Sequence, residues 1–319
     1  MANRLAGLDG SSVVVEVPAS SANLGAGYDC LGLAIAMTNR IELEVRVWSR
    51  GTIELTVDGE GQGELTEDRD NRFVRGLVAA LTSAFGHVPE EIGWRIGMRN
   101  QIPLSRGLGS SAAATVGGLL AGNALAGEPL STPDLLRLAT EIEGHPDNAA
   151  AALMGGFVVS AATSSGVEAI RFDVPRDLRA VLFIPELRLS TSEMRAALPT
   201  SVPLADAVAN LSAVAVGVAG LATGRLEVLG RLTVDRLHEP YRAAVYPQLP
   251  AMVAAARAAG ALGACLSGAG STIIAFTDSA GGAAELDRAL TAAADEVALT
   301  GRVRTVALRN TGAQVIAPA

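Results

Sequence analysis

The stretch that decides the fold is residues 103–114, Pro103-Leu104-Ser105-Arg106-Gly107-Leu108-Gly109-Ser110-Ser111-Ala112-Ala113-Ala114. Alternating apolar residues from Trp94 to Ile102 predict a strand before it, and the Ala-rich segment from Ser110 to Leu125 predicts a helix after it. The first amides of a helix have no partner within it and lie at the positive end of its dipole. This stretch therefore predicts a phosphate site, with the Ser111 hydroxyl available to a metal bound to the phosphates. The simplest alternative is a tight turn with a serine cap.

A dinucleotide-binding loop is a second alternative, because residues 107–112 also match the pattern G-x-G-x-x-A. Two observations argue against it. The preceding strand carries Arg95 and Arg99 between apolar residues, whereas a buried parallel strand is continuously apolar. The acidic residue about 20 positions on, Glu128, lies between a glycine and a proline. An oxidoreductase is thus the less favoured interpretation.

Composition restricts the chemistry further, because all 25 basic residues of the 319 are arginine. Schiff-base catalysis, a pyridoxal-phosphate anchor and a Walker A lysine are excluded, so phosphate must be bound by backbone amides, arginine and metal. The net charge is −8, and no run of basic residues suits a nucleic acid or an anionic membrane. We expect neither partner.

The chain is expected to be a compact cytoplasmic protein. It has 49% apolar residues, and it opens without the charged and apolar regions of a signal peptide. Its two cysteines, Cys30 and Cys265, do not make a disulfide framework. The smoothest apolar segment, Leu211 to Ala222, is shorter than the roughly 20 residues of a membrane span.

The order of predicted elements, strands first and helices between them, favours an α+β fold over a doubly wound parallel sheet. Two alternating segments, Ile41 to Val47 and Ile53 to Val57, predict an antiparallel hairpin. The sequence Thr163-Ser164-Ser165-Gly166 has the composition of a linker, so we predict two domains, 1–165 and 166–319.

Two other loops carry polar residues between glycines. The segment from Pro18 to Tyr28 is predicted to be a turn region, in which Asn23 and the following Asp29 could surround a small polar ligand. The segment from Cys265 to Ser271 is predicted to be a hairpin or a bulge. Each loop alone is a weak signal of function.

Their combination and order resemble the GHMP family of small-molecule kinases, in which Pro-x3-Gly-Leu-Gly-Ser-Ser-Ala-Ala is the phosphate loop. The resemblance covers about residues 12–276 and is closest to those members that phosphorylate homoserine. The segments that carry this closer match are 21–29 (SANLGAGYD), 143–148 (EGHPDN), 190–195 (STSEMR) with Leu198-Pro199, and 238–242 (HEPYR).

The resemblance implies a two-domain α+β fold, an N-terminal S5-like domain and a C-terminal ferredoxin-like domain, with the active site in the cleft between them. It implies transfer of the γ-phosphoryl group of ATP to the hydroxyl of homoserine, with Mg²⁺ on Ser111 and a carboxylate at a helix end. Glu141 and Glu143 both compete for that role, and the motif favours Glu143. The nucleotide would contact Asn71 near the adenine and the loop residues Pro103, Leu104, Ser105, Arg106, Gly107, Leu108, Gly109, Ser110 and Ser111.

For the acceptor, the resemblance implies that Asp29 takes the ammonium group and that Arg195 and Arg242 hold the carboxylate. The pocket would be completed by Asn23, His145, Asn148 and Thr191, with His145 and Asn148 at the reacting groups. Asp147 could act as a base, but we favour no dedicated base, the proton leaving through the phosphate or His145. A homodimer is possible. The alternatives are a family member acting on another small alcohol and a binding protein that retains the loops.

Overall fold

The computed structural model describes residues 7–47, 51–164 and 166–317, which form two β-sheets with helices packed on them. The strands are β1 Ser12–Ala22, β2 Leu31–Arg46, β3 Ile53–Gly59, β4 Gly93–Asn100, β5 Phe157–Thr163, β6 Gly166–Phe172, β7 Arg179–Pro185, β8 Gly263–Leu266, β9 Ile273–Thr277, β10 Gly301–Ala307 and β11 Gln314–Ala317. The larger sheet has the order β11-β1-β2-β4-β3, with β5 beside β2 and β6 beside β5. The smaller sheet has the order β10-β7-β9-β8. The α+β prediction is confirmed.

The helices lie between these strands in the chain. They are α1 Arg72–Phe85, α2 Ser110–Leu125, α3 Thr132–Glu143, α4 Asp147–Met154, α5 Thr191–Ala196, α6 Leu204–Ala222, α7 Leu229–Leu232, α8 Glu239–Arg242, α9 Leu249–Ala258 and α10 Ala280–Glu296, with a short 3₁₀ turn at Leu226–Val228. The helix predicted after the phosphate loop begins and ends at the predicted residues.

The predicted hairpin of residues 41–47 and 53–57 is wrong, because β4 lies between the two strands. β4 pairs antiparallel with β2 and parallel with β3, and α1 forms the crossover between β3 and β4. A local alternation of apolar residues identifies a strand but not its neighbour. Trp48, Ser49 and Arg50, where the turn was expected, lie outside the described residues. The mixed pairing of β4 also excludes the continuous parallel sheet that a dinucleotide-binding fold requires.

The first strand extends into the segment that was expected to be a turn. β1 runs through Pro18 to Ala22, and its register against β2 shifts between Pro18 and Ala19. Because proline cannot donate a ladder hydrogen bond, this irregularity lets the strand continue beyond it. As a result, the side chains of Ser20 and Ser21 are fully buried where strand β1 reaches the phosphate loop.

The boundary predicted at 165/166 stays a prediction. β6, which follows it, pairs with β5 in the larger sheet, and β11 returns from the C-terminal end to pair with β1 in that sheet. The smaller sheet begins at β7.

Helix α6 has 19 residues and is, by length and composition only, apolar enough to cross a membrane, whereas the predicted apolar segment, Leu211 to Ala222, covers only part of it. One such helix is weak grounds for a membrane span, because helices of soluble folds pass the same test. Here Asn210 of α6 donates to Ala26 O and to Asp235, and Gly217 lies against Leu232 of α7. The helix is thus packed into the fold along one side.

Helices α1 and α2 approach each other closely at a glycine on each helix. A Cβ on Gly118 of α2 would overlap Phe73 O of α1, and one on Gly76 of α1 would overlap Thr115 O. Backbone contact of this kind fixes α2 against α1, and α2 carries the phosphate loop at its N-terminus.

We expect Gly118→Ala to destabilise the protein by about 1–3 kcal/mol, because the added methyl group meets a backbone oxygen that cannot move aside. Gly117→Ala is the matched control. Its Cβ would lie 3.2 Å from two side-chain methyl groups, on Ile41 and Val17, and the gain in helix propensity offsets that contact. Thermal unfolding measures both, and equal melting temperatures would contradict this account of the helix pair.

Candidate active site

The three loops singled out in the sequence meet at Ser267. Its hydroxyl lies 2.7 Å from Gly107 O in the phosphate loop and 2.8 Å from the Ser21 hydroxyl at the end of β1. Asn23 Nδ2 donates to Gly268 O at 2.8 Å, joining the 23–29 loop to the 265–271 loop. Residues separated by more than 240 positions thus form one continuous wall.

The phosphate loop presents helix amides without a competing side-chain cap. Gly109, the residue before α2, is in the left-handed conformation at φ 69°, and no side chain caps the helix. Leu108 is buried and anchors the turn. A Cβ on Gly109 would overlap the Ser20 hydroxyl, which donates to Asn148 Oδ1 at 2.9 Å. The loop therefore requires glycine for its backbone conformation and for its packing.

Two adjoining cavities open in front of this loop. The first has a volume of about 240 Å³ and the second about 290 Å³, and Arg72, Ser105, Ser110 and Ser111 line both. The first cavity brings together most of the predicted site residues: Asn23, Asp29, Pro103, Ser105, Arg106, Gly107, Leu108, Gly109, Ser110, Ser111, Glu143, His145, Asn148, Thr191, Arg195 and Arg242. The second holds Asn71 and Leu104 with apolar residues such as Ile41 and Met98.

Of the two competing carboxylates, Glu143 faces the phosphate loop. Its Oε1 accepts hydrogen bonds from Ser111 Oγ at 3.0 Å and from Thr115 Oγ1 at 2.7 Å, and its side chain is 7% exposed. Glu141 is 58% exposed and pairs with Arg137 on the outer side of α3. Among the residues described, no group of three or more His, Cys, Asp and Glu could hold a metal by itself.

His145 and Asp147 form a pair at the start of α4. His145 Nδ1 donates to Asp147 Oδ1 at 2.8 Å, and this hydrogen bond raises the pKa of His145 against the opposing effect of burial. Asp147 Oδ1 also accepts from the backbone N–H of Asn148 at 2.6 Å. The carboxylate is therefore engaged on its own helix, and the imidazole carries a proton toward the cavity over a wider pH range.

Asp29 and Arg195 form an ion pair with two contacts, Arg195 Nη2 to Asp29 Oδ1 at 2.7 Å and Nη1 to Oδ2 at 2.9 Å. Arg195 Nη1 also donates to the Tyr28 hydroxyl at 2.7 Å. The 23–29 loop holds Asp29 at a positive φ of 52°, and its N–H donates to Asn23 Oδ1. The two charges predicted to bind opposite ends of a ligand thus neutralise each other here.

Arg242 is buried, with 1% exposure, at the end of the short helix α8. Its Nη1 contacts His238 Nδ1 at 3.1 Å and donates to Gly268 O at 2.9 Å. The Tyr28 ring centroid lies 5.5 Å from the guanidinium carbon of Arg242 and 5.5 Å from that of Arg195, so the ring is flanked by two cations.

Several predicted residues have their polar groups engaged by the protein. The side-chain nitrogen and oxygen of both Asn23 and Asn71 are hydrogen-bonded; Asn71 caps α1 through Oδ1 and donates to Thr66 O through Nδ2. The Arg106 guanidinium donates to the carbonyls of Leu104, Pro185 and Glu186, which joins the phosphate loop to the segment after β7. These three residues shape the walls of the cavities.

Sequence reasoning missed Arg72 and Thr115, and it gave no role to Tyr28 or His238, although both lie in segments that carry the resemblance. Thr115 had a signal, because it lies four residues after Ser111 and so on the same face of the predicted helix. Arg72, at the start of α1, reaches the site only through the packing of α1 beside α3. Nothing in the local sequence indicates that.

Comparison with known proteins agrees with this arrangement. The family model for the GHMP kinase N-terminal domain matches residues 72–156, and that for the C-terminal domain matches residues 218–296. A homoserine kinase of Moorella thermoacetica is 44% identical over 82% of this chain and 86% of its own. One of Microchaete diplosiphon is 42% identical over 95% of this chain and 97% of its own.

The crystal structure of homoserine kinase from Cytophaga hutchinsonii superposes with a TM-score of 0.84 at 31% identity, covering 96% of this chain and 98% of that one. The two-domain fold predicted from the resemblance is thereby confirmed, and the oxidoreductase alternative is wrong. Because the identity is this high over most of the length of both chains, the chain belongs to the homoserine kinases of the GHMP kinase family.

Proposed function

We propose that this protein transfers the γ-phosphoryl group of ATP to the side-chain hydroxyl of homoserine, giving O-phosphohomoserine. One observation carries the proposal: the cavity at the uncapped N-terminus of α2 also contains Asp29, Arg195 and Arg242. A helix N-terminus suits a polyphosphate, and a carboxylate with two guanidinium groups suits the two charges of an amino acid. The names of the relatives support the same acceptor.

On the nucleotide side, the amides of Ser110, Ser111 and Ala112 bind phosphate oxygens in this proposal. The adenine occupies the second cavity, whose wall includes Ile41 and Met98, with Asn71 at its edge. Because this cavity adjoins the first at Ser110 and Ser111, the nucleotide can span both with its phosphates directed at the acceptor pocket.

Ser111 and Glu143 fit a magnesium ion, because a hydroxyl and a carboxylate are the hard oxygen donors that this ion prefers. When bound, the ion neutralises charge that develops on the phosphates. With two side-chain donors, the site would depend on phosphate and water oxygens for its remaining ligands.

On the acceptor side, Asp29 binds the ammonium group of homoserine, and Arg195 with Arg242 binds the carboxylate. In the free protein Arg195 and Asp29 are paired with each other. When homoserine binds, this ion pair is replaced by one contact from Asp29 to the ammonium group and one from Arg195 to the carboxylate. Asn23 acts by holding Asp29, and Thr191 lines the wall.

For the transfer itself we propose no dedicated base. Phosphoryl transfer has a loose transition state that asks for positioning and charge neutralisation more than for proton removal. Asp147 already accepts two hydrogen bonds at Oδ1. The hydroxyl proton passes to the phosphoryl group or to the neutral form of His145, in which Nδ1–H donates to Asp147 and Nε2 is the acceptor, while Asn148 positions the reacting groups.

An assay of ADP release with different acceptors tests this function. We expect homoserine to be phosphorylated with a kcat/KM roughly a hundredfold or more above that of 1,4-butanediol, which lacks both charges. Asp29→Asn should raise the homoserine KM about tenfold or more and leave the ATP KM within a fewfold, and the exposed Asp278→Asn should change neither. Equal use of the diol and homoserine would contradict an amino-acid acceptor.

The magnesium assignment is tested by Glu143→Gln, with Glu141→Gln as its control. The first variant keeps the size of the side chain but loses the charge, so kcat should fall by about two orders of magnitude or more and respond to added Mg²⁺. The second alters an exposed carboxylate outside the cleft, and wild-type activity is expected. Small and equal effects of the two substitutions would show that Glu143 does not bind the ion.

A further inference from the structure

A buried polar cluster lies behind the acceptor pocket, centred on His238. The side chain of His238 is 0% exposed and lies between the 23–29 loop and Arg242. The side chain of Asp235 is also buried, and its Oδ2 lies 3.7 Å from His238 Nε2. The same carboxylate accepts from the backbone N–H groups of Leu237, His238 and Glu239 at the start of α8. The proposed function uses Arg242 but gives His238 no role.

The partners of His238 define its tautomer. Nε2 lies 2.8 Å from Gly25 O, and because a carbonyl only accepts, Nε2 carries the hydrogen. Nδ1 lies 3.1 Å from Arg242 Nη1, and because a guanidinium only donates, Nδ1 presents its lone pair. One neutral tautomer satisfies both contacts. Burial lowers the pKa of His238 to about 4, consistent with a neutral ring at physiological pH.

The contacts of Arg242 fix its orientation. Nη1 is held by His238 and Gly268 O, and Nε lies 3.4 Å from Met194 O. None of these contacts uses Nη2. Met194 belongs to α5, the helix that also carries Arg195, so the same guanidinium is tied to the elements that form the acceptor pocket.

We propose that His238 is a positioning residue. It holds Arg242 and the 23–29 loop at the spacing that an α-amino acid requires. This rests on the proposed function, in which Arg242 binds the acceptor carboxylate. Through Nδ1 the imidazole orients the guanidinium, and through Nε2 it holds the loop that ends at Asp29. The spacing between the carboxylate-binding and ammonium-binding groups therefore depends on one neutral ring.

Two substitutions separate these contacts. His238→Gln places an amide N–H near the position of Nε2 but no acceptor at Nδ1, so we expect the homoserine KM to rise about tenfold with the ATP KM within twofold. His238→Asn places an oxygen near Nδ1 but leaves Gly25 O without its donor. We expect a lower melting temperature and, because Arg242 keeps its partner while the 23–29 loop loses one contact, a homoserine KM about threefold above that of wild type.

A merely structural role would make the homoserine KM of the two variants follow their loss of melting temperature, and that result would overturn the proposal.

Arg242→Gln is measured in parallel. If it leaves the homoserine KM unchanged, the proposed acceptor binding fails; if it raises KM while His238→Gln does not, only the role of His238 fails. If a variant does not fold, the tautomer of His238 is measured in the wild-type protein by its carbon and nitrogen NMR shifts. We expect the Nε2–H tautomer at pH 6–8, and any other protonation state would overturn the proposal.

A second feature, independent of His238, is Arg72 at the junction of the two cavities. Its Nη1 donates to Ile142 O at 3.0 Å and lies 3.6 Å from Glu143 Oε1, and its side chain is 42% exposed. The other arginines that line the first cavity are held by carbonyls, by Asp29 or by His238. Arg72 is therefore the arginine of that cavity with the fewest internal contacts.

We infer that Arg72 is a catalytic residue that binds the γ-phosphate of the nucleotide. Its guanidinium faces Glu143 in the free protein, and a phosphate at the junction offers it a stronger partner with bidentate geometry. Turning to the phosphate would also release Glu143. In a chain without lysine, this supplies a mobile positive charge where charge must be neutralised.

Direct binding tests this role without any acceptor. Wild-type protein should bind a non-hydrolysable ATP analogue more tightly than ADP, and Arg72→Gln should reduce that preference about tenfold. Arg75→Gln, on an exposed position of the same helix outside both cavities, is the control and should keep it. An unchanged preference in Arg72→Gln would overturn the inference, whatever the acceptor proves to be.

Discussion

The structure depends on the contact between the phosphate loop and the 265–271 loop, which comes from the distant end of the chain. A Cβ on Gly107 would overlap Ser267 O, so the two backbones can touch only where this side chain is absent. That contact brings the N-terminus of α2 against residues that follow β8. The same approach aligns Ser21 and Asn23 with Ser267 and Gly268, which turns three separate loops into one wall.

The charged side chains of the first cavity are paired within the protein. Each cation or anion of the first cavity has an internal partner: Asp29 pairs with Arg195, His145 with Asp147, and Glu143 with two hydroxyls and, more distantly, Arg72. Pairing of this kind keeps partly buried charges from remaining uncompensated in the free protein. A ligand with complementary charges can then exchange contacts with these groups.

The cleft has a buried part, with fixed contacts, and a partly exposed part, whose contacts a ligand can replace. His238 and Arg242 are buried and contact backbone carbonyls and each other, whereas Arg72 and Arg195 are partly exposed and each lies beside a carboxylate. A buried network with every partner satisfied holds its geometry. The buried part therefore sets the spacing of the pocket, and the exposed part can respond to its occupant.

The sequence by itself determined the α+β class, the helix from Ser110 to Leu125 and the phosphate loop, because these follow from local periodicity and from glycine at short spacing. It also supplied the resemblance that named most residues of the site. Only the tertiary structure showed which of Glu141 and Glu143 faces the phosphate loop, placed β4 between β2 and β3, and brought Arg72 to the cleft and His238 behind it. These facts depend on which distant segments pack together, and a side chain's partner across such a contact leaves no periodic signal in its own neighbourhood.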